Sequence, residues 1–104
     1  MNYHIAMASV AQEGLSLLLN QGMRAVLERH IAALAENPEQ QGLPLVGPLK
    51  GCFSLRVEGD WCRIVYRVVG EQVQVLSIAM GASSQGLDRD WRDLARRLFR
   101  LRLL

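Results

Sequence analysis

Residues 49–69, LKGCFSLRVEGDWCRIVYRVV, decide the fold, because they form two alternating strands around a short turn. In residues 49–57 the side chains of Leu49, Phe53, Leu55 and Val57 point one way, which is the period of a strand. Residues 60–69 alternate in the same manner. Glu58-Gly59 between them is typical of a tight turn, so the stretch predicts an antiparallel hairpin.

A two-residue turn fixes which side chains lie opposite one another. It pairs Lys50 with Arg67, Ser54 with Arg63, and Arg56 with Trp61. Directly opposed residues share a face of the sheet, so the basic residues of both strands converge on one surface and the apolar residues on the other. A one-residue slip would mix arginines with apolar neighbours and is rejected. The same register keeps Cys52 and Cys62 too far apart for a disulfide.

The flanking sequence completes an α+β domain. Residues 72–80 form a further strand, and residues 2–7 are compatible with a first one. Between them, apolar residues at helical spacing predict a helix capped by Ser9 and a second from about Met23 to Asn37. These helices form an αα-hairpin whose apolar face covers the sheet. Residues 38–48, which hold all three prolines, form a connecting loop.

The C-terminal segment, residues 88–104, predicts a basic amphipathic helix. Trp91, Leu98 and Leu101 belong to its apolar stripe. The segment holds six arginines and three acidic residues, whereas the rest of the chain holds six basic and seven acidic residues. We expect the stripe to pack on the body, with docking on a partner or a membrane surface as the alternative. The last four residues, LRLL, are expected to fray.

Composition and motifs limit the function classes. A chain of 104 residues makes one domain, residues 1–104. No apolar run reaches the length of a membrane span, and the N-terminus lacks the pattern of a signal peptide, so we expect a cytoplasmic protein that does not enter membranes. Two cysteines cannot complete a zinc site, and glycine-rich phosphate loops and nucleophile elbows are absent. We therefore expect neither metal nor cofactor.

The converging basic residues form a candidate anion site. They are Lys50, Arg56, Arg63 and Arg67. Arginine forks match phosphate oxygens, and lysine adds a point charge. An RNA backbone or an acidic protein segment would suit this surface equally. In the alternative interpretation the arginines lie in solvent or pair with Glu58 and Asp60.

Residues 37–80 resemble the RelE/ParE toxin superfamily of type II toxin–antitoxin systems. The resemblance rests on the LKG of residues 49–51, the Leu55-Arg56 pair, the RIVY of residues 63–66 and the strand VQVLSIAM that follows. It implies a RelE-like fold and a cognate antitoxin as partner. RelE-like members cleave mRNA in the ribosome, whereas ParE-like members inhibit DNA gyrase.

The resemblance also implies roles for individual residues. Arg63 matches an arginine that stabilises the scissile phosphate, and Lys50 and Arg56 match basic residues near the RNA. With these three as catalytic residues, Arg67 and Ser54 are candidates for substrate binding. Positive charge held in advance where negative charge develops is what phosphoryl transfer requires.

Three functions remain open on the sequence. RelE-like nucleases carry a basic residue after the last strand, but residues 78–84 read IAMGASS. The leading interpretation is a ribosome-dependent mRNA endonuclease that inhibits translation. The alternatives are a ParE-like gyrase inhibitor, which needs no catalytic arginine, and a catalytically degenerate module that binds an antitoxin.

Overall fold

The computed structural model describes residues 2–57, 61–80 and 91–104. The elements follow in chain order: β1 (His4–Met7), α1 (Ser9–Ser16), α2 (Gln21–Ala33), α3 (Pro38–Gln41), β2 (Leu43–Pro44), a 3₁₀ turn (Gly47–Leu49), β3 (Phe53–Arg56), β4 (Cys62–Val69), β5 (Gln72–Met80) and α4 (Trp91–Arg100). Residues 58–60 and 81–90, which include the expected turn and the start of the expected C-terminal helix, lie outside the described residues.

The described strands form one sheet in the order β1-β5-β4-β3-β2. Its centre is antiparallel, as expected, and β1 joins the far edge parallel to β5. The α+β architecture with a helical hairpin and a C-terminal helix is confirmed. Local boundaries differ, however. The chain enters α1 through Ala8, not a Ser9 cap, whereas Asn20 caps α2 by accepting a bond from the Met23 N–H at 3.0 Å.

The register of the hairpin differs from the expected one by two residues. Arg56 pairs with Arg63 and Ser54 with Val65, and the Val57 N–H donates to the Cys62 carbonyl at 2.9 Å. The connection is therefore longer than the two-residue turn that was expected. A shift of two preserves the period of a strand, so every side chain of β3 and β4 keeps its expected face.

The start of the hairpin was predicted incorrectly. Residues 47–49 form a 3₁₀ turn, and Gly51 has a φ of 97°, so the regular strand begins only at Phe53. A positive φ suits glycine, which has no Cβ. The turn moves Leu49 away from the face of Phe53 and Leu55 and buries it on the opposite side of the sheet.

Two apolar clusters cover the two faces of the sheet. The α2-side core joins helix α2 to one face, and its buried members are Ala11, Leu27, Ile31, Leu34, Val57, Cys62, Ile64, Tyr66, Val73, Val75 and Ile78. The α4-side core joins α4 to the other face, and its buried members are Val10, Leu49, Cys52, Val65, Leu76, Ala95 and Leu98. Helix α4 thus packs on the body, over the face that carries the arginines.

Helix α1 protects an edge of the sheet. β1 pairs with β5 only as far as Val75, and α1 follows directly, with the Ala8 N–H donating to the Val75 carbonyl at 2.9 Å. A Cβ on Gly14 would lie 2.7 Å from the Ile78 carbonyl oxygen, so helix and strand touch backbone to backbone there. Open edges invite pairing with other chains, and α1 covers this one.

Tyr66 anchors the segment that enters the hairpin. Its side chain is wholly buried, and its hydroxyl donates to the Pro38 carbonyl at 2.6 Å. Its ring stacks on Phe53 with centroids 5.4 Å apart. Burial raises the pKa of the Tyr66 phenol, and a backbone hydrogen bond from Gly42 partly opposes that rise.

We expect Tyr66→Phe to lower the free energy of unfolding by about 1–2 kcal/mol, because the buried Pro38 carbonyl loses its donor. Urea denaturation of both proteins measures the difference. Tyr3→Phe, at a half-buried position, is the matched control and should cost less. Equal stability of Tyr66→Phe and the unaltered protein would mean that the hydrogen bond adds nothing.

The two cysteines are free and buried on opposite sides of the sheet, as their expected faces required. Burial raises the pKa of the Cys62 thiol from its ordinary 9.0 to about 12. The folded protein therefore keeps a proton that the unfolded chain releases above pH 9. Such a group stabilises the fold fully below pH 9, and its contribution is lost as the pH rises towards 12.

We expect the free energy of unfolding to fall between pH 9 and 10.5 by about 1.4 kcal/mol per pH unit for this one proton. Guanidinium denaturation across that range measures the slope. Cys62→Ala should be less stable at pH 7 but should show a shallower slope. Because burial also raises the pKa of Cys52, Cys52→Ala is measured in parallel. An unchanged slope in Cys62→Ala would contradict the assignment.

Candidate functional site

Arg56 and Arg63, the basic pair, lie directly opposite each other on β3 and β4. Because the neighbouring Val57 and Cys62 share a backbone hydrogen bond, Arg56 and Arg63 occupy a closely spaced pair, with Cα atoms about 4.5 Å apart. Arg56 is exposed, whereas Arg63 is only 5% exposed. Two positive charges thus lie at one point of the sheet, which suits an anionic ligand.

Buried hydroxyls adjoin the basic pair. Ser54 and Ser77 both pair with Val65, from β3 and β5 respectively, and they are 8% and 5% exposed. All these residues lie on the face opposite α2. A phosphate on this face would meet guanidinium donors and hydroxyl groups, both of which bind its oxygens. The sequence identified Ser54 as a candidate but missed Ser77, whose position depends on the register of β5.

Lys50 does not lie on a strand. It follows the 3₁₀ turn, three residues before β3, and its side chain is exposed. Its expected partner was Arg67, but β3 does not extend back to Lys50. Lys50 therefore belongs to the loop that leads to the basic pair and does not form part of the pleated surface.

Arg67 lies at the other end of β4 and is separated from the basic pair. It is four residues beyond Arg63, which is about 13 Å along a strand. Val65 lies between them and belongs, with Leu98, to the α4-side core. The sequence grouped Arg67 with Arg63 because both share a face, but helix α4 divides that face into two sites. The Arg67 Nε instead donates to Gln74 Oε1 at 2.7 Å.

Helix α4 presents its own positive surface. An open groove of about 750 Å³ runs along it, lined by Pro48, Arg92, Ala95, Arg96, Phe99, Arg100 and Leu104. Phe99 is 74% exposed. An ion pair of 3.1 Å between Arg97 and Glu13 joins the helix to α1. Positive charge around an exposed aromatic ring suits a partner that offers acidic and apolar side chains together.

Among the described residues, no group of three or more His, Cys, Asp or Glu side chains is arranged to hold a metal ion. In the same part of the chain, no helix has both the length and the apolar character to span a bilayer.

Comparison of the fold with solved structures gives consistent results. The toxin–antitoxin complex RelBE2 of Mycobacterium tuberculosis is 26% identical over 78% of this chain and 100% of that chain, with a TM-score of 0.67. The isolated RelE toxin of E. coli is 20% identical over 88% of this chain and 98% of that chain, with a TM-score of 0.66. The chain has the RelE/ParE toxin fold.

The RelE/ParE resemblance inferred from the hairpin is thus confirmed by the fold. A chromosomal ParDE system from P. aeruginosa is also similar, at 19% identity over 75% of this chain and 95% of that chain, with a TM-score of 0.61. No family model and no curated protein matches the sequence. Because RelE and ParE structures match comparably, the fold does not distinguish the two activities.

Proposed function

We propose that this chain is the toxin of a type II toxin–antitoxin pair, and that the basic pair lies at a centre that cleaves mRNA on the ribosome. The observation that carries the proposal is the direct opposition of Arg56 and Arg63 on a RelE/ParE-type sheet. Similar structures are toxins crystallised with antitoxins, including RelBE2. The toxin role follows from that likeness, and the cleavage chemistry follows from the basic pair.

The basic pair would act by charge stabilisation. A guanidinium offers N–H donors and no acceptor, so both arginines would act as donors and as positive charges. Cleavage of a phosphodiester gathers negative charge on the oxygens of the scissile phosphate, and a preorganised guanidinium stabilises that charge. Arg63, held in the floor of the face, would contact the phosphate, while the exposed Arg56 and Lys50 would hold the RNA on either side. Ser54 would bind a further phosphate oxygen.

Mapping of mRNA 5′ ends after brief induction of the chain in bacteria tests this proposal. New ends inside translated frames that disappear in Arg63→Ala would support cleavage on the ribosome. DNA damage without new mRNA ends would instead favour the gyrase inhibitor. This is the second candidate because residues 81–84 include no basic residue. If neither new mRNA ends nor DNA damage is observed, the remaining interpretation is a module that only binds an antitoxin.

The groove along α4 is the surface that we assign to the antitoxin. Arg92, Arg96 and Arg100 line it around the exposed Phe99, so an acidic segment with apolar side chains would match it. The middle of the sheet face, where an acidic partner would otherwise bind, is covered by α4.

Co-expression with a cognate antitoxin, once one is identified, tests the groove. Arg96→Glu combined with Phe99→Ala should weaken co-purification and neutralisation at least tenfold. Arg24→Glu, on the exposed side of α2, serves as the control. Full neutralisation of the double variant would remove the groove from the interface.

A further inference from the structure

The C-terminus of the chain folds back instead of fraying. Beyond α4, the Arg102 N–H donates to the Phe99 carbonyl at 3.0 Å and the Leu103 N–H to the Leu98 carbonyl at 2.8 Å. This is the Schellman arrangement, and its central residue adopts the left-handed conformation that glycine favours. Here that residue is Arg102, with a φ of 58°. A non-glycine residue in this conformation carries strain of about 1 kcal/mol, and such strain is often found at functional sites.

Arg102 lines a cavity together with Arg67. The cavity measures about 220 Å³ and lies between β1, β5 and the folded-back C-terminus. Its lining residues are Ala6, Met7, Ala8, Arg67, Gln74, Leu76, Arg102 and Leu103. Arg67 and Arg102 thus line the same small space, and no Asp or Glu stands among the described residues that line it.

The orientation of Arg67 is fixed by its neighbours. Its Nε donates to Gln74 Oε1 at 2.7 Å, and Gln74 Nε2 donates in turn to Gln72 Oε1 at 3.0 Å. This chain of hydrogen bonds occupies the inner nitrogen of the guanidinium and leaves its two terminal nitrogens available for a ligand. The positive charge of Arg67 also acts on the nearby Cys52 thiol, whose pKa it lowers against the larger effect of burial.

The chemistry of the lining specifies the ligand. Two guanidinium groups present two positive charges, and a single carboxylate would neutralise only one of them. A phosphate monoester carries between one and two negative charges near neutral pH, and it has three terminal oxygens. Its charge and its oxygens therefore match the N–H donors of two guanidinium groups. The cavity is larger than a phosphate, and its apolar side is formed by Met7, Leu76 and Leu103, which suits a sugar or base attached to that phosphate.

We propose that this cavity binds a phosphate monoester between Arg67 and Arg102, at a site separate from the basic pair. The folded-back C-terminus supplies half of the site, which gives a reason for an arginine at a position where glycine would be less strained. The proposal does not depend on RNA cleavage, because neither Arg56 nor Arg63 lines this cavity.

Titration of the isotope-labelled full-length chain with sodium phosphate, followed by NMR of the arginine side chains, tests the site. We expect saturable shifts at Arg67 and Arg102 that sodium chloride of equal ionic strength does not produce. Arg67→Gln should weaken binding at least tenfold, and Arg29→Gln, on the exposed side of α2, should not. Shifts that chloride reproduces, or that survive Arg67→Gln, would overturn the proposal.

Arg102→Gly separates binding from folding. The substitution removes one guanidinium but places glycine where φ is positive, so affinity should fall tenfold while the melting temperature rises. Retained affinity would overturn the site. A 5′-mononucleotide that binds more tightly than inorganic phosphate would identify a free nucleotide as ligand. If a 5′-phosphorylated trinucleotide binds more tightly than both inorganic phosphate and the mononucleotide, the ligand is the 5′ end of a nucleic acid.

Discussion

Replacement of Arg63 by alanine is expected to lower mRNA cleavage by at least about a hundredfold, the loss that follows removal of one preorganised donor from a developing oxyanion. Arg63 is 5% exposed in the floor of the face, so its guanidinium is held in place before RNA arrives. Single-turnover cleavage on programmed ribosomes measures the rate. Arg63→Lys keeps the charge but loses the planar fork, so we expect an intermediate rate.

Because Arg63 is buried, a loss of activity has to be distinguished from a loss of folding. Thermal unfolding of Arg63→Lys and Arg63→Ala provides that check, and a folded but inactive variant supports the catalytic role. Arg24→Ala, an exposed arginine that pairs with Glu28 at 3.2 Å, is the matched control and should cleave normally. A folded Arg63→Ala that cleaves at the original rate would remove Arg63 from the mechanism.

Gly14→Ala is expected to destabilise the fold by about 2 kcal/mol, although alanine is the better helix former. Its Cβ would lie 2.7 Å from the Ile78 carbonyl oxygen and 3.3 Å from the Ile78 Cβ. The oxygen belongs to the backbone of a central strand and cannot move aside cheaply, so α1 must move outward. The gain in helix propensity, about 1 kcal/mol, is smaller than the usual cost of overpacking.

Gly22→Ala is the matched control, because it makes the same change in α2. There the new Cβ would lie 3.3 Å from Asn20 Oδ1, the oxygen that caps α2, but this oxygen ends a side chain that can yield slightly and is not part of the backbone. We expect stabilisation by about 0.5 kcal/mol, from the reduced freedom of the unfolded chain. In urea denaturation, the free energy of unfolding should therefore fall for Gly14→Ala and rise for Gly22→Ala. Equal changes would show that α1 can leave the edge of β5 without cost.

For the strands of the hairpin, the sequence predicts which face of the sheet each side chain takes, but not which residues pair across the strands. Alternation assigns each side chain of β3 and β4 to a side of the sheet, and a register error of two residues does not alter that assignment, whereas Leu49 in the turn before β3 was assigned to the wrong side. The pairing of Arg56 with Arg63 in place of Trp61 depends on the length of the connection, which the Glu58-Gly59 pair alone underestimates. The sheet face of Ser54, Arg56 and Arg63 was therefore predicted correctly, whereas the cross-strand partner of Arg56 was predicted wrongly.

The position of α4 could not be read from its sequence. An amphipathic stripe shows that a helix buries one side, but not which surface receives it. The α4-side core requires Leu49 and Cys52 to turn towards Leu98, and that turn depends on Gly51. For the same reason the division of the basic residues into two sites, and the roles of Gln74 and Arg102, became visible only in the folded chain.

The parallel pairing of β1 with β5 has a consequence for the order of folding. β3, β4 and β5 are neighbours in sequence and can form a sheet early, whereas His4 meets Gln72 only after a long loop has closed. The Arg97–Glu13 ion pair likewise joins the last helix to the first. A chain emerging from the ribosome therefore completes its edge strand last, and pulse-labelling hydrogen exchange should protect Ile64 before Ile5.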